Sequence, residues 1–179
     1  DEADKDKQFI LHFEGAGLIT KVYVNSMLLK VNYTAGIGFD VDITDVARFG
    51  YETNVVSVHT DAHDYEAWYY EGAGITRNVW MVKTDKLAVD LWGTYVTSKN
   101  LGDNKWQLNI ETEVVNNYYE AKDAKIVSKI VDPNGVQVAE VASDASYALR
   151  SKGITKQEVV LDAPMLWDTK NCNMYKLFT

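Results

Sequence analysis

Gly72-Ala73-Gly74-Ile75-Thr76-Arg77-Asn78-Val79-Trp80 lies near the middle of the chain, and its reading governs the rest. Two glycines around an alanine predict a tight turn that a larger side chain would obstruct. From Ile75 the residues alternate apolar and polar up to Val79, as a half-buried strand does, and the strand is expected to continue to Lys83. Just before the turn stand Trp68, Tyr69 and Tyr70, with carboxylates at Asp61, Asp64, Glu66 and Glu71 and histidines at His59 and His63. A polar, aromatic loop that feeds through a glycine hinge into a strand suits carbohydrate and other polyol ligands. A packed surface loop has the same composition. Trp68, Tyr69 and Tyr70 are therefore candidate substrate-binding residues, and Gly72, Gly74 and Arg77 are read as the frame of the loop.

Toward the N-terminus the period-2 signal repeats. Gln8 to Phe13 alternates, with Phe9, Leu11 and Phe13 on one face and Gln8, Ile10 and His12 on the other, until Glu14-Gly15-Ala16-Gly17 breaks it. Ile19 to Val24 and Met27 to Val31 flank Asn25-Ser26, a plausible two-residue turn, because asparagine tolerates the left-handed conformation. Phe39 to Ile43 alternates strictly. Thr44-Asp45 is positioned to cap one helical turn over Val46 to Phe49, closed by Gly50, and Asn54 to Val58 is another strand. Asp1 to Lys7 reads as a solvated charged tail.

Beyond Thr84-Asp85-Lys86 the strand signals restart. They fall at Leu87 to Trp92, Tyr95 to Thr97, Lys105 to Val115, Ala124 to Val131, Val136 to Ala142, Ile154 to Leu161 and Met174 to Phe178. Asp132-Pro133-Asn134-Gly135 is a turn. The segments are short, rich in Val, Ile, Thr and Tyr, and punctuated about every ten residues, as in antiparallel sandwiches. No stretch holds a 3.6-residue period long enough for a substantial helix. The expected fold is all-β, in two domains spanning 1–84 and 85–179.

Composition narrows the partners. The 179 residues are 46% hydrophobic and 25% charged, enough to bury a core, with a net charge of −8. An acidic surface repels phosphate backbones and anionic lipid, so no nucleic-acid or membrane partner is expected. No run of about 18 apolar residues spans a bilayer. The one cysteine, Cys172, has no internal partner for a disulfide and reads as a small apolar filler.

Several motifs now converge. Phe13-Glu14-Gly15, Val22-Tyr23-Val24-Asn25, Phe39-Asp40-Val41-Asp42-Ile43-Thr44 and Gly74-Ile75-Thr76-Arg77-Asn78-Val79-Trp80 together resemble the N-terminal sugar-binding jelly roll of family 2 glycoside hydrolases. That family includes β-galactosidases, β-glucuronidases and β-mannosidases. Trp92-Gly93-Thr94-Tyr95-Val96-Thr97 looks like the entry to the family's immunoglobulin-like sandwich. Ala163-Pro164-Met165-Leu166-Trp167-Asp168, running into Asn173-Met174-Tyr175-Lys176-Leu177, resembles its exit.

The resemblance implies a truncated jelly-roll-like sandwich followed by an immunoglobulin-like β-sandwich. It also implies that the retaining carboxylate pair, acid/base and nucleophile, belongs to a (β/α)₈ barrel beyond Thr179. The chain is then expected to hold no catalytic residue and no cofactor. Its role would be to scaffold the barrel of a β-galactosidase-like enzyme and lend a loop to the sugar pocket. The alternative is a stand-alone carbohydrate-binding or protein-interaction β-sandwich module. Missing opening strands would expose sheet edges, so self-association is also expected. Relatives that digest environmental glycans are commonly exported, which would make this chain periplasmic or extracellular.

Individual residues carry two readings each. Asn25 matches the family's Val-Asn turn, which in some members hydrogen-bonds the terminal sugar; it also fits a plain turn. Trp68 stands where many relatives carry arginine or aspartate, so stacking replaces a charged contact. Arg77 and Asn78 match an Arg-Asp pair with the acid replaced by an amide, and Arg77 is expected to brace the loop. His59 and His63 with Asp61 and Asp64 would face one metal only on a helix, and their neighbours read as strand and loop, so no metal is expected. Asp40 and Asp42 are expected on a solvated face, and Trp92, Trp106 and Trp167 in core or interdomain packing.

Overall fold

A computed structural model describes residues 1–63 and 72–179 of the chain. Two compact units, Asp1–Asp85 and Lys86–Thr179, divide it. Among the described residues every regular element is a strand or a short 3₁₀ turn. None is a helix long and apolar enough to cross a membrane. The all-β expectation holds.

The first unit contains β1 (Gln8–Phe13), β2 (Ala16–Gly17), β3 (Ile19–Val24), β4 (Met27–Asn32), β5 (Phe39–Asp42), β6 (Val56–Asp61), β7 (Gly74–Ile75) and β8 (Val79–Thr84). They form two antiparallel three-stranded sheets, ordered β5-β1-β8 and β4-β3-β6, and the ribbon β2-β7. The alternation read in β1 is the packing pattern. Phe9, Leu11 and Phe13 are buried with Phe39 and Val41 of β5 and Val22 and Val24 of β3 in one core. Phe13 stacks on Phe39, ring centroids 4.9 Å apart. A Phe side chain removed from water contributes roughly 1.5–3 kcal/mol, so Phe9, Phe13 and Phe39 are main contributors to this core.

Three expectations for this unit change. The strand expected from Ile75 to Lys83 is divided, because Gly15 and Glu14 engage its middle. Thr76 N donates to the Gly15 carbonyl (3.1 Å) and Glu14 N to the Asn78 carbonyl (3.0 Å), so the chain bends before β8 pairs with β1. The helical turn is shorter than read. It is 3₁₀, Thr44–Val46, with Ile43 at its N-cap, and Ala47 is already extended. Thr44 instead ties strands together: its Oγ1 donates to Asp42 Oδ1 (2.6 Å) and accepts from Phe9 N (3.1 Å). The charged tail is not simply solvated, since Asp4 pairs with Lys83 (3.0 Å) and Lys7 with Asp85 (2.7 Å).

The second unit is a sandwich of β13-β10-β9 and β12-β11-β14. Its strands are β9 (Leu87–Gly102), β10 (Lys105–Asn116), β11 (Lys122–Val131), β12 (Gln137–Tyr147), β13 (Ser151–Asp162) and β14 (Lys176–Phe178). Leu87 to Thr97, read as two strands, is one strand that swells outward rather than ending. Ile110, Ile130 and Leu161 centre one core cluster, and Val114, Ile126 and Tyr147 another. Two buried amides, those of Asn116 and Gln157, donate to the backbone. Asn116 Nδ2 donates to the carbonyls of Glu120 (2.9 Å), Tyr147 (3.0 Å) and Ala148 (3.0 Å), while its Oδ1 accepts from Tyr118 N (3.0 Å). Gln157 Nε2 donates to the Ile126 carbonyl of the facing sheet (2.9 Å). Such bonds stabilise the unit, since an unsatisfied buried amide group costs about 1–3 kcal/mol.

Candidate functional site

The glycine-hinged loop is framed from β1 outward. β1 ends at Phe13, and Glu14 follows with its backbone already tied to Asn78. Its carboxylate accepts from the Trp80 indole Nε1 (2.7 Å) and from Asn78 N (3.3 Å). The Trp80 hydrogen bond, foremost, holds the Glu14 carboxyl below its ordinary 4.5, against a smaller opposing effect of burial. Gly74 pairs with Gly17 in the β2-β7 ribbon. Its φ of +145° is a conformation that suits glycine. At Gly17 a Cβ would come within 2.7 Å of Ala35 Cβ, so Ala35 packs against this ribbon only over a bare backbone.

Beside Glu14 on the outer face of the same sheet, His12 Nδ1 meets Asp40 Oδ1 at 2.6 Å. His12 also stands opposite both Trp80 and Asp40 in register. A cross-strand row of carboxylate, imidazole and a half-exposed indole thus borders the loop. Sequence reading passed over Glu14, His12 and Trp80 as a group. The signal was available in the register of an alternating β1, whose polar face must meet whatever strands pair with it.

The other expected residues are placed as follows. Trp68, Tyr69 and Tyr70, with Asp64, lie outside the described residues. Gly72 and Gly74 both have positive φ, +122° and +145°. Arg77 is exposed, its aliphatic stem lying beside Gly15, and the hydrogen bonds that brace this loop come from Glu14. Asn25 adopts a left-handed φ of +49° in its turn, and its amide is engaged within the fold. Nδ2 donates to the Val46 carbonyl (2.8 Å) and to Asn54 Oδ1 (3.0 Å), and Oδ1 accepts from Val55 N (3.0 Å). Asp40 and Asp42 are exposed, but each holds a partner, His12 and Thr44 respectively.

His59 lies in β6 opposite Lys21 of β3, and Asp61 accepts from His63 N (2.9 Å). Among the described residues no group of three or more His, Cys, Asp or Glu is gathered to hold a metal ion. Two corrections concern single residues. Cys172 is exposed rather than a buried filler, because it sits in the turn that Asp168 builds by accepting from Lys170 N and Asn171 N. Trp92, expected in core or interdomain packing, is largely exposed at a backbone φ of +60°.

The second unit offers a different kind of concavity. A groove of about 480 Å³ runs between its sheets, walled by Trp106, Leu108, Ile110, Met165, Trp167 and Tyr175. The Tyr175 hydroxyl accepts from Met165 N (2.9 Å), pinning residues 163–175 along its rim. The walls are almost wholly apolar, suited to covering another apolar surface rather than to acid–base chemistry.

Residues 89–179 match the model of the Glycosyl hydrolases family 2. The chain is 32% identical over its whole length to a β-galactosidase of Bacteroides ovatus, spanning 21% of that protein. It is also 32% identical, over 97% of its length, to a β-glucuronidase of Formosa agariphila, spanning 20% of it. Among solved structures, a family 2 β-glucuronidase superposes with a TM-score of 0.90 at 30% identity, over 98% of this chain and 20% of that one. A family 2 member from Bacteroides cellulosilyticus gives 0.93 at 26%, over 99% of this chain and 24% of that one. The chain spans about a fifth of the length of the curated relatives it matches.

Proposed function

The chain belongs to the family 2 glycosyl hydrolases, and from that premise we propose that it is the non-catalytic sandwich region of a β-glycosidase. In this reading its jelly-roll-like and immunoglobulin-like units scaffold a catalytic barrel carried by the same polypeptide. The observation that supports it is the likeness to the family 2 β-glucuronidase across 98% of this chain and only 20% of that one. Trp68, Tyr69 and Tyr70 are the residues offered to the sugar, and Asn25 shapes the turn of the β3-β4 hairpin. The apolar groove beside Trp106 and Trp167 receives a neighbouring part of the parent chain. The substrate is a terminal β-galactoside, as the name of the Bacteroides ovatus relative suggests, with β-glucuronide the second sugar to assay.

The test compares the 179-residue chain with the reading frame extended past the codon for Thr179, using aryl β-galactoside and aryl β-glucuronide. Hydrolysis by the extended protein and none by the chain alone is the expected result. Turnover by the chain alone, or a frame that closes at Thr179, would overturn the reading.

A further inference from the structure

The outer face of β13-β10-β9 carries a second, smaller cleft that scaffolding does not require. β9 swells beside it. Thr94 pairs with Thr112 and Val89 with Val114, so Asp90, Leu91, Trp92 and Gly93 all stand opposite the single residue Glu113. The swelling is fixed from two sides. A Cβ on Gly93 would come within 2.7 Å of the Glu113 carbonyl and 2.8 Å of the Asp90 carbonyl, so the backbone can pass only as glycine. Lys152 then bridges the carboxylates of Asp90 and Glu113.

The result is that Trp92, at φ +60°, is held 78% exposed. Left-handed backbone is unfavourable for a bulky residue and persists only where the surroundings enforce it. Bulges of this kind re-aim side chains, and they gather at functional sites. Here the re-aimed indole borders a cleft of about 180 Å³ with Tyr95, Glu111, Glu113 and Ile154. Tyr95 is itself 64% exposed and lies opposite Glu111 across the strands.

We propose that this cleft binds one pyranose residue of a glycan. The apolar face of the ring lies on Trp92 and Tyr95, and its hydroxyls exchange hydrogen bonds with Glu111, Glu113 and the lysines beside them. Size and charge both point to this ligand. Drug-sized ligands need roughly 300–1,000 Å³, so this cleft admits a single ring. Its carboxylates are already compensated, Glu111 by Lys156 at 2.7 Å and Glu113 by Lys152 at 3.1 Å. A metal-cation site would offer carboxylates free to coordinate, whereas paired donors and acceptors are what a polyol requires.

The inference concerns the 179-residue chain itself and does not depend on a barrel, so its failure would leave the proposed function standing. The test is an NMR titration of the labelled chain with methyl β-D-galactopyranoside, methyl β-D-glucuronide and a β-linked glucan tetrasaccharide. Saturable shifts of the Trp92 indole N–H and of the Tyr95 and Glu111 amides are expected. Trp92→Gly removes the ring and suits the φ of +60°, so it should weaken binding about tenfold. Tyr95→Ala should weaken binding as well. Absence of shifts with all three sugars, or identical binding by Trp92→Gly, would overturn the proposal.

Discussion

Glu14 and Trp80 are joined at 2.7 Å, indole N–H to carboxylate, although 66 positions separate them in the chain. The bond fastens the loop after β1 to the start of β8, where the glycine-hinged segment rejoins the sheet. Because the folded state holds the Glu14 carboxyl below 4.5, this contribution is fully present above that value and is lost as pH falls through the lower, folded value. An NMR titration of the Glu14 side chain should give a midpoint below 4.5. Glu14→Gln should flatten the acid-side loss of stability, while Trp80→Phe should return the Glu14 midpoint toward its ordinary value.

Asn116 should be among the costliest single positions in the second unit. It is fully buried, and one amide serves three carbonyls and one N–H. Asn116→Ala leaves the buried Tyr147 carbonyl and three part-buried backbone groups without this partner, a loss of roughly 2–4 kcal/mol. Urea unfolding checks this, and a loss below about 1 kcal/mol would show that water replaces the amide.

Asn25 separates two effects. Asn25→Gly keeps the left-handed φ but removes the bonds to Val46, Asn54 and Val55, whereas Asn25→Ala removes the bonds and strains the backbone as well. Alanine should therefore be the less stable variant, by about 1 kcal/mol, and both should melt below the parent chain in calorimetry.

Met27, Leu28, Val55 and Val56 are exposed together, where β4 and β6 flank the Val24 end of β3. Apolar edges of this kind recruit further strands. Light scattering on the 179-residue chain should show a mass that rises with concentration, and Leu28→Lys should suppress the rise. A constant monomer mass for the parent chain would count against self-association.

What the sequence disclosed follows from where side-chain period was strict. β1, β5 and β10 alternate cleanly, so their buried faces could be read directly, Phe9-Leu11-Phe13 and Ile110-Thr112-Val114 among them. Legibility failed where a single long-range contact overrides the local pattern. Thr76 to Asn78 look like strand, but Glu14 and Gly15 take their pairing groups. Trp92 looks like core, yet its exposure is decided by Gly93 passing close to Glu113 of the neighbouring strand. The loop residues Trp68, Tyr69 and Tyr70 were singled out by composition, which speaks to ligand chemistry and not to position. His12 with Asp40 was invisible until the β1-β5 register brought them together.

The central place of β1 also governs when the chain can fold. Gln8 pairs with Thr84, so the sheet β5-β1-β8 cannot close until the whole first unit has been synthesised. At about 5–20 residues per second, Phe9, Leu11 and Phe13 wait roughly 4 to 15 s with one flank of their strand open. The second unit faces no such delay for its first pairing, since β9 and β10 meet across a tight turn at Asp103 and Asn104. Local hairpins close quickly and distant strands slowly. During translation the hazard of wrong association is therefore concentrated in the N-terminal sheet, and a binding factor that shields β1 as it emerges would raise the yield of folded protein more than one acting on the second unit.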